Sequence, residues 1–235
     1  MWWTISALAA SPIPADTTQL VLVVAADPDR SEATVTRWTR AEAGWTLEGP
    51  PVAARIGARG VAWGRGLHPP QPGLQKVEGD QRAPAGVFAL GDAWGDAPVS
   101  PARWPYHPVG PRDLWYEDPA SPLYNTHVRV PGTEPLTPDQ QRAVMRSGDP
   151  AHALKVFVAH NAPPDAVPGA GSAIFLHTWR KDGVAPTAGC TAMERADLDV
   201  LVGWLDPARH PALVLLTIPE LERLDEAWDL PTPPR

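Results

Sequence analysis

Proline occupies 30 of the 235 positions, and this density constrains the fold more than any other feature of the chain. Each proline fixes φ and removes a backbone donor, which argues against a helix bundle and for short strands joined by stiff, irregular connections. Eleven tryptophans, against three tyrosines and three phenylalanines, supply large anchors for a core or flat walls for a groove. The strand signals agree. Leu20 to Ala25 (LVLVVA) has the length and branching of a buried strand, and Thr34 to Arg40 alternates as a half-exposed one should. Trp45-Thr46-Leu47 after Gly44 reads as its hairpin partner. Val52 to Ile56 and Val87 to Leu90 are further short strands bounded by Gly or Pro. The chain opens as a β meander, not as α/β alternation.

From Asp92 to Pro138 the sequence is thick with Pro, Gly, Trp and Tyr and has no clear period. It is too aromatic for disorder and reads as an ordered, loop-rich insertion over a sheet, one wall of a cleft. Thr137 as N-cap, Pro138 at the first helical position and Gly148 beyond the end predict a short helix over Pro138 to Arg146. Leu154 to Ala159 and Ala173 to His177 are apolar strands. Glu194 to Leu205 places Leu198, Leu201, Val202 and Leu205 on one helical face. Ala212 to Ile218 closes the sheet, and an acidic tail helix follows from Pro219 to Leu230. The expected class is mainly β (α+β) with a few flanking helices. The organisation reads as an N-terminal segment at 1–19, a domain at 20–218 with an insertion at about 92–150, and a tail at 219–235.

A net charge of −7 and a pI near 5.4 argue against nucleic acid as a partner. No stretch approaches the length of a membrane span. Residues 1–10 (MWWTISALAA) are apolar with small residues at the end, like the core of a signal peptide. They lack a basic leading segment and read equally as an ordered N-terminal strand.

The single cysteine, Cys190, forms no internal disulfide. It lies in a suggestive segment, SAIFLHTWRKDGVAPTAGCTAM, from Ser172 to Met193. The strand delivers His177 at its end. A polar loop then brings Thr187-Ala188-Gly189-Cys190 to the start of the helix, where imidazole and thiol can meet. Gly189 permits close backbone approach, so the amides of Gly189 and Cys190 are candidate oxyanion donors, and the helix start near Glu194 adds some positive potential. On these residues alone the catalytic reading stands even with that of an inert buried cysteine beside a strand-end histidine.

His177 followed by TAGC resembles the HxG…[ST]HGC signature of the YkuD-type L,D-transpeptidase catalytic domain, in a divergent form. Lys76-Val77-Glu78-Gly79-Asp80 with Arg82 to Phe88 resembles the family's KxEGDxRTPxGxF stretch. Trp115 to Asn125, His160-Asn161 and Gly169 to Phe175 resemble further family segments, in the expected order. Two departures stand out. Ala188 occupies the place of a second histidine before Gly-Cys, and Thr191-Ala192-Met193 stands where an arginine is common.

The resemblance implies an L,D-transpeptidase-like mixed β-sandwich and a two-step acyl transfer without metal or organic cofactor. Cys190 would attack the L-centre carbonyl of a peptidoglycan tetrapeptide stem and expel D-alanine, and an acceptor stem's amine would resolve the thioester into a 3,3 or 1,3 cross-link. His177 would be the base, with the Thr178 carbonyl fixing its tautomer. Lys76, Glu78, Arg82, Tyr124, Asn125, His160, Asn161 and Trp179 are the candidate substrate contacts. For Lys76, Glu78 and Asp80 a solvated turn is the competing reading, and for His160 a core histidine. His68, His107, His127, His152 and His210 have no metal-ligand spacing and read as surface or structural. The partners would be donor and acceptor stems, in the periplasm or at the wall. The alternatives are an L,D-carboxypeptidase or amidase, and a non-catalytic wall-binding module. A papain-like protease fits less well, because here the histidine precedes the cysteine.

Overall fold

A computed structural model describes residues 11–98, 103–145 and 148–234. The apolar opening segment 1–10 and Arg146, the expected end of the Pro138 helix, lie outside the described residues. The strands are β1 (Gln19–Ala25), β2 (Glu32–Ala41), β3 (Gly44–Leu47), β4 (Val52–Arg55), β5 (Val61–Trp63), β6 (Ala83–Gly95), β7 (Tyr106–Pro108), β8 (Asp113–Trp115), β9 (His127–Arg129), β10 (Leu154–Val158), β11 (Phe175–Thr178), β12 (Thr191–Met193) and β13 (Ala212–Thr217). The helices are α1 (Pro138–Ala143), α2 (Arg195–Trp204) and α3 (Ile218–Trp228). The protein is mostly β with few helices. No helix among the described residues is long and apolar enough to cross a membrane.

The main sheet runs β1-β13-β6-β10-β11-β12-β4-β2 and returns to β1. It is one closed sheet, and this replaces the two-layer sandwich that was expected. The reason lies in β2. Its ten residues pair with β1 from Ala33 to Thr39 while its first half also pairs with β4, so both edges of the sheet end on the same strand. β1 and β13 are parallel partners, Leu20 opposite Ala212 through Ala25 opposite Thr217. Both are buried nearly throughout, because one face fills the closed sheet and α3 packs on the other, burying Leu221, Leu224 and Trp228. Strands covered on both faces have no polar side to show, hence the unbroken runs LVLVVA and ALVLLT.

The short helix begins as expected. Thr137 Oγ1 accepts from the Gln140 amide at 3.3 Å and Gln140 Oε1 accepts from the Thr137 amide at 2.9 Å, a reciprocal cap. α2 buries Leu198, Leu201 and Val202. Two differences from expectation bear on function. β6 runs for 13 residues, well beyond Val87 to Leu90 on both sides, and the segment read as without period also holds β7, β8 and β9. The TAGC segment leads into β12, not directly into α2; β12 lies parallel to β11, Leu176 opposite Thr191 and His177 opposite Ala192.

β10 and β11 separate two apolar clusters by strand parity. Val156, Val158 and Leu176 point into the main core, while Phe157 and Phe175 join Trp94, Trp115 and Met145 on the opposite face. There the insertion is folded over the sheet. Its anchor is the buried Asp113, which accepts from Arg129 at 2.8 and 2.9 Å, from His127 at 2.9 Å and from the Gly110 amide at 2.7 Å. Burial alone would raise this carboxyl, but those donors hold it below its ordinary value.

Candidate active site

The candidate site is built on the face that carries Phe157 and Phe175. On β11 the same parity turns His177 to this side, and its direct antiparallel partner on β10 is Lys155. Cys190 immediately precedes β12 and lies beside Phe175, whose amide donates to Sγ at 3.4 Å; the thiol in turn is 3.5 Å from the Ala173 carbonyl. Cys190 and His177 are therefore diagonal neighbours on adjacent strands, facing the same way. Both line a pocket of about 1080 Å³. The sheet and the 185–190 loop form one wall, and Trp115 to Asp118, Ala120 to Pro122 and Arg142 to Met145 of the insertion form the other.

His177 is only 6% exposed. Its Nδ1 lies 2.8 Å from the Thr178 carbonyl. A carbonyl only accepts, so Nδ1 carries the proton and Nε2 keeps the lone pair. Burial lowers the pKa of this imidazole, and the charges of Arg180 and Lys155 push it the same way, while the Thr178 bond opposes them. The ring is thus neutral near pH 7, the state a base requires.

The thiol is not a preformed thiolate. Burial pushes Cys190 up to about 11, and the Phe175 amide and Lys155 only partly offset this, while Glu117 adds to the rise. The expected help from the positive end of α2 is not what sets this thiol, because β12 intervenes. A neutral thiol beside a neutral imidazole favours proton transfer in step with attack.

Gly189 has φ +150°, and a Cβ there would come within 2.9 Å of the Arg82 carbonyl, so both backbone and space demand glycine. Its amide donates to Thr187 Oγ1 at 3.0 Å, and the same hydroxyl donates to the Cys190 carbonyl at 2.7 Å. The expected oxyanion pair of Gly189 and Cys190 amides thereby loses its first member to the loop's own structure.

The family model described as the L,D-transpeptidase catalytic domain (YkuD) matches residues 30–214. The chain belongs to the L,D-transpeptidase catalytic domain family. No match was found among curated proteins or among solved structures.

In this L,D-transpeptidase domain the expected substrate contacts divide into two groups. Lys76 and Glu78 line the pocket. Lys76 is buried and paired with Asp80 at 2.5 Å, and Asp80 also accepts from the Val77 and Arg82 amides, so this is a closed turn and not a solvated one. Glu78 accepts a hydrogen bond from the Tyr124 hydroxyl. Burial, and then that carboxylate, raise the pKa of Tyr124.

The others are turned into the framework. Arg82 reaches Asp29 at 2.9 Å and the Val61 carbonyl at 3.1 Å, away from the pocket. Asn125 donates to the carbonyls of His160 and Asn161 at 3.0 and 2.9 Å and accepts from Trp115 Nε1 and the Ala173 amide at 3.1 and 2.9 Å. Asn161 bonds to Val167 and Gly171. His160 is fully buried, accepting from the Arg65 amide at 3.1 Å and donating to the Ala170 carbonyl at 2.9 Å; burial lowers it to about 4. Trp179 packs against Gly183, which has no room for a Cβ.

Two pocket residues were missed by the sequence reading. His152 had been read as surface or structural, yet its ring centroid lies 5.0 Å from that of His177, and its buried Nδ1 has no hydrogen-bond partner among the described residues. Burial, then the His177 and Lys155 charges, lower it to about 3. The bidentate Arg180–Asp149 pair, at 3.0 and 2.7 Å, ties its turn to the loop after β11. Lys155, 4% exposed, is an ammonium in the apolar strand LKVFV, and that anomaly was legible. Among the described residues no group of His, Cys, Asp and Glu is arranged to hold a metal ion.

Proposed function

We propose that the chain is a peptidoglycan L,D-transpeptidase that cross-links stem peptides through a thioester on Cys190, acting outside the cytoplasm at the wall. The observation that carries this reading is the shared face of Cys190 and His177 in one large pocket, with the imidazole tautomer held by the Thr178 carbonyl. As Cys190 Sγ attacks the L-centre carbonyl of a donor tetrapeptide, its proton passes to His177 Nε2. The tetrahedral adduct collapses, the C–N bond breaks, and His177 returns the proton to the departing D-alanine nitrogen. An acceptor amine then attacks the thioester, losing its proton to His177 and releasing the thiol. With the Gly189 amide engaged, the Cys190 amide is the proposed oxyanion donor. The pocket's second wall, Trp115 to Pro122, gives room for an acceptor stem.

The test is muropeptide mass spectrometry after incubation of disaccharide-tetrapeptide with the protein, with Cys190→Ala and with His177→Ala. Dimers that require both residues are expected, and their fragmentation distinguishes 3,3 from 1,3 links. Cys190-dependent tripeptide without dimers would replace transfer by hydrolysis, making the protein a carboxypeptidase. Folded protein that leaves the donor unchanged would overturn the assignment.

A further inference from the structure

The pocket holds two buried lysines whose circumstances differ. Lys76 has its carboxylate, Asp80, at 2.5 Å. Lys155 is just as deeply buried, but among the described residues it makes no ion pair. Its ammonium lies 5.1 Å over the centroid of the Phe175 ring, a weak partner for a full charge taken out of water. Cys190, then Glu117, Asp96 and Asp149, are close enough to feel that charge, and Asp149 is held by Arg180. A buried, unpaired cation opening on a pocket is a site for an anion that arrives from outside.

The position of Lys155 says which anion. It stands directly across the β10–β11 ladder from His177, on the same face. His177 is the group that returns a proton to the leaving nitrogen. In a stem that ends in a free amino acid, the terminal carboxylate is one carbon away from that nitrogen, so whatever receives this carboxylate must sit beside the imidazole. We propose that Lys155 binds the carboxylate of the departing C-terminal residue of the donor stem, which makes the enzyme specific for donors with a free C-terminus. This rests on the acyl-transfer reading above. Lys155 moves no proton; it holds the leaving residue so that the scissile nitrogen faces His177 Nε2, and it releases a zwitterionic amino acid once the C–N bond is broken.

The experiment compares two donors, disaccharide-tetrapeptide with a free D-alanine carboxylate and the same molecule with that carboxylate amidated. Each is given to the intact protein and to Lys155→Met, with release of D-alanine or its amide as the readout. Wild type is expected to lose about 10- to 100-fold in kcat/KM on the amide, mainly through KM, the range for one charge-assisted hydrogen bond. Lys155→Met is expected to fall by a similar factor on the free acid and to treat the two donors alike. Its alkylation at Cys190 should slow by a smaller factor than its turnover of the free acid, since Lys155 offsets the burial of the thiol only in part. Equal turnover of both donors by wild type would overturn the proposal without any variant. So would a Lys155→Met protein that still discriminates, or one whose loss on both donors is matched by an equal loss of alkylation rate, which would make Lys155 a partner of the sulfur. If wild type acts on neither donor, the acyl-transfer reading itself fails and this proposal falls with it.

Discussion

The thiol offers the most direct measurement of the chemistry assigned to this pocket. With Cys190 held at about 11, the thiolate fraction near pH 7.5 is about 0.0003, against about 0.09 for an unperturbed cysteine with pKa about 8.5. The ratio is about 300-fold. A more basic thiolate is intrinsically the better nucleophile, and a Brønsted slope of about 0.45 over about 2.5 pKa units returns about 13-fold. Alkylation of the free enzyme by iodoacetamide, followed by intact mass, should therefore run about 20-fold slower than that of a free cysteine peptide. It should keep rising with pH past 9 without a plateau. The donor substrate, by contrast, brings its carbonyl to Sγ while His177 takes the proton, so turnover needs no standing thiolate and should stay flat where alkylation climbs. An alkylation plateau at or below about pH 8 would refute the reasoning, because it would mean a preformed thiolate–imidazolium pair in a site this buried.

Two further outcomes follow from the frame. Asn125→Ala should lower stability by about 3 kcal/mol in urea unfolding, because it orphans two carbonyls, an indole N–H and an amide, and puts alanine at φ 57°. Stability should also fall as pH drops from about 6.5 toward 4. His160 is held neutral with a folded value of about 4 while the unfolded chain takes up the proton near 6.5, so at pH 5 it alone removes about 2 kcal/mol relative to pH 7. An unfolding free energy that is unchanged between pH 7 and 5 would contradict the buried, neutral assignment.

Much of the fold was legible because its strands obey simple rules. LVLVVA reads as a buried strand and Ala212 to Ile218 as a last strand of the sheet, and the Thr137-Pro138 start and the α2 stripe are local signals. Closure of the sheet was not legible, since it depends on β2 serving two neighbours at once, which no window of residues records. β12 has only three residues and no period of its own. In the site, Cys190 and His177 stood out by motif. Asn125, Asn161 and His160 read as substrate contacts, with a core histidine or a turn as the competing reading, because polar residues in a loop-rich region look available for substrate. Here the irregular backbone has few ladder partners, and these side chains supply the missing ones. Lys155 and His152 come to the site through parity and a turn, from a stretch that no motif marks.

The parallel pairing of β1 with β13 also has a temporal side. The two strands are about 190 residues apart, and the ring cannot be completed until β13 has been made. At synthesis rates of about 5–20 residues per second, β1 waits about 10–40 s for its neighbour. During that time its apolar edge is open to chaperones, to translocation machinery or to aggregation. A sheet of this topology stays open along that edge until β13 emerges, and only then can the ring lock.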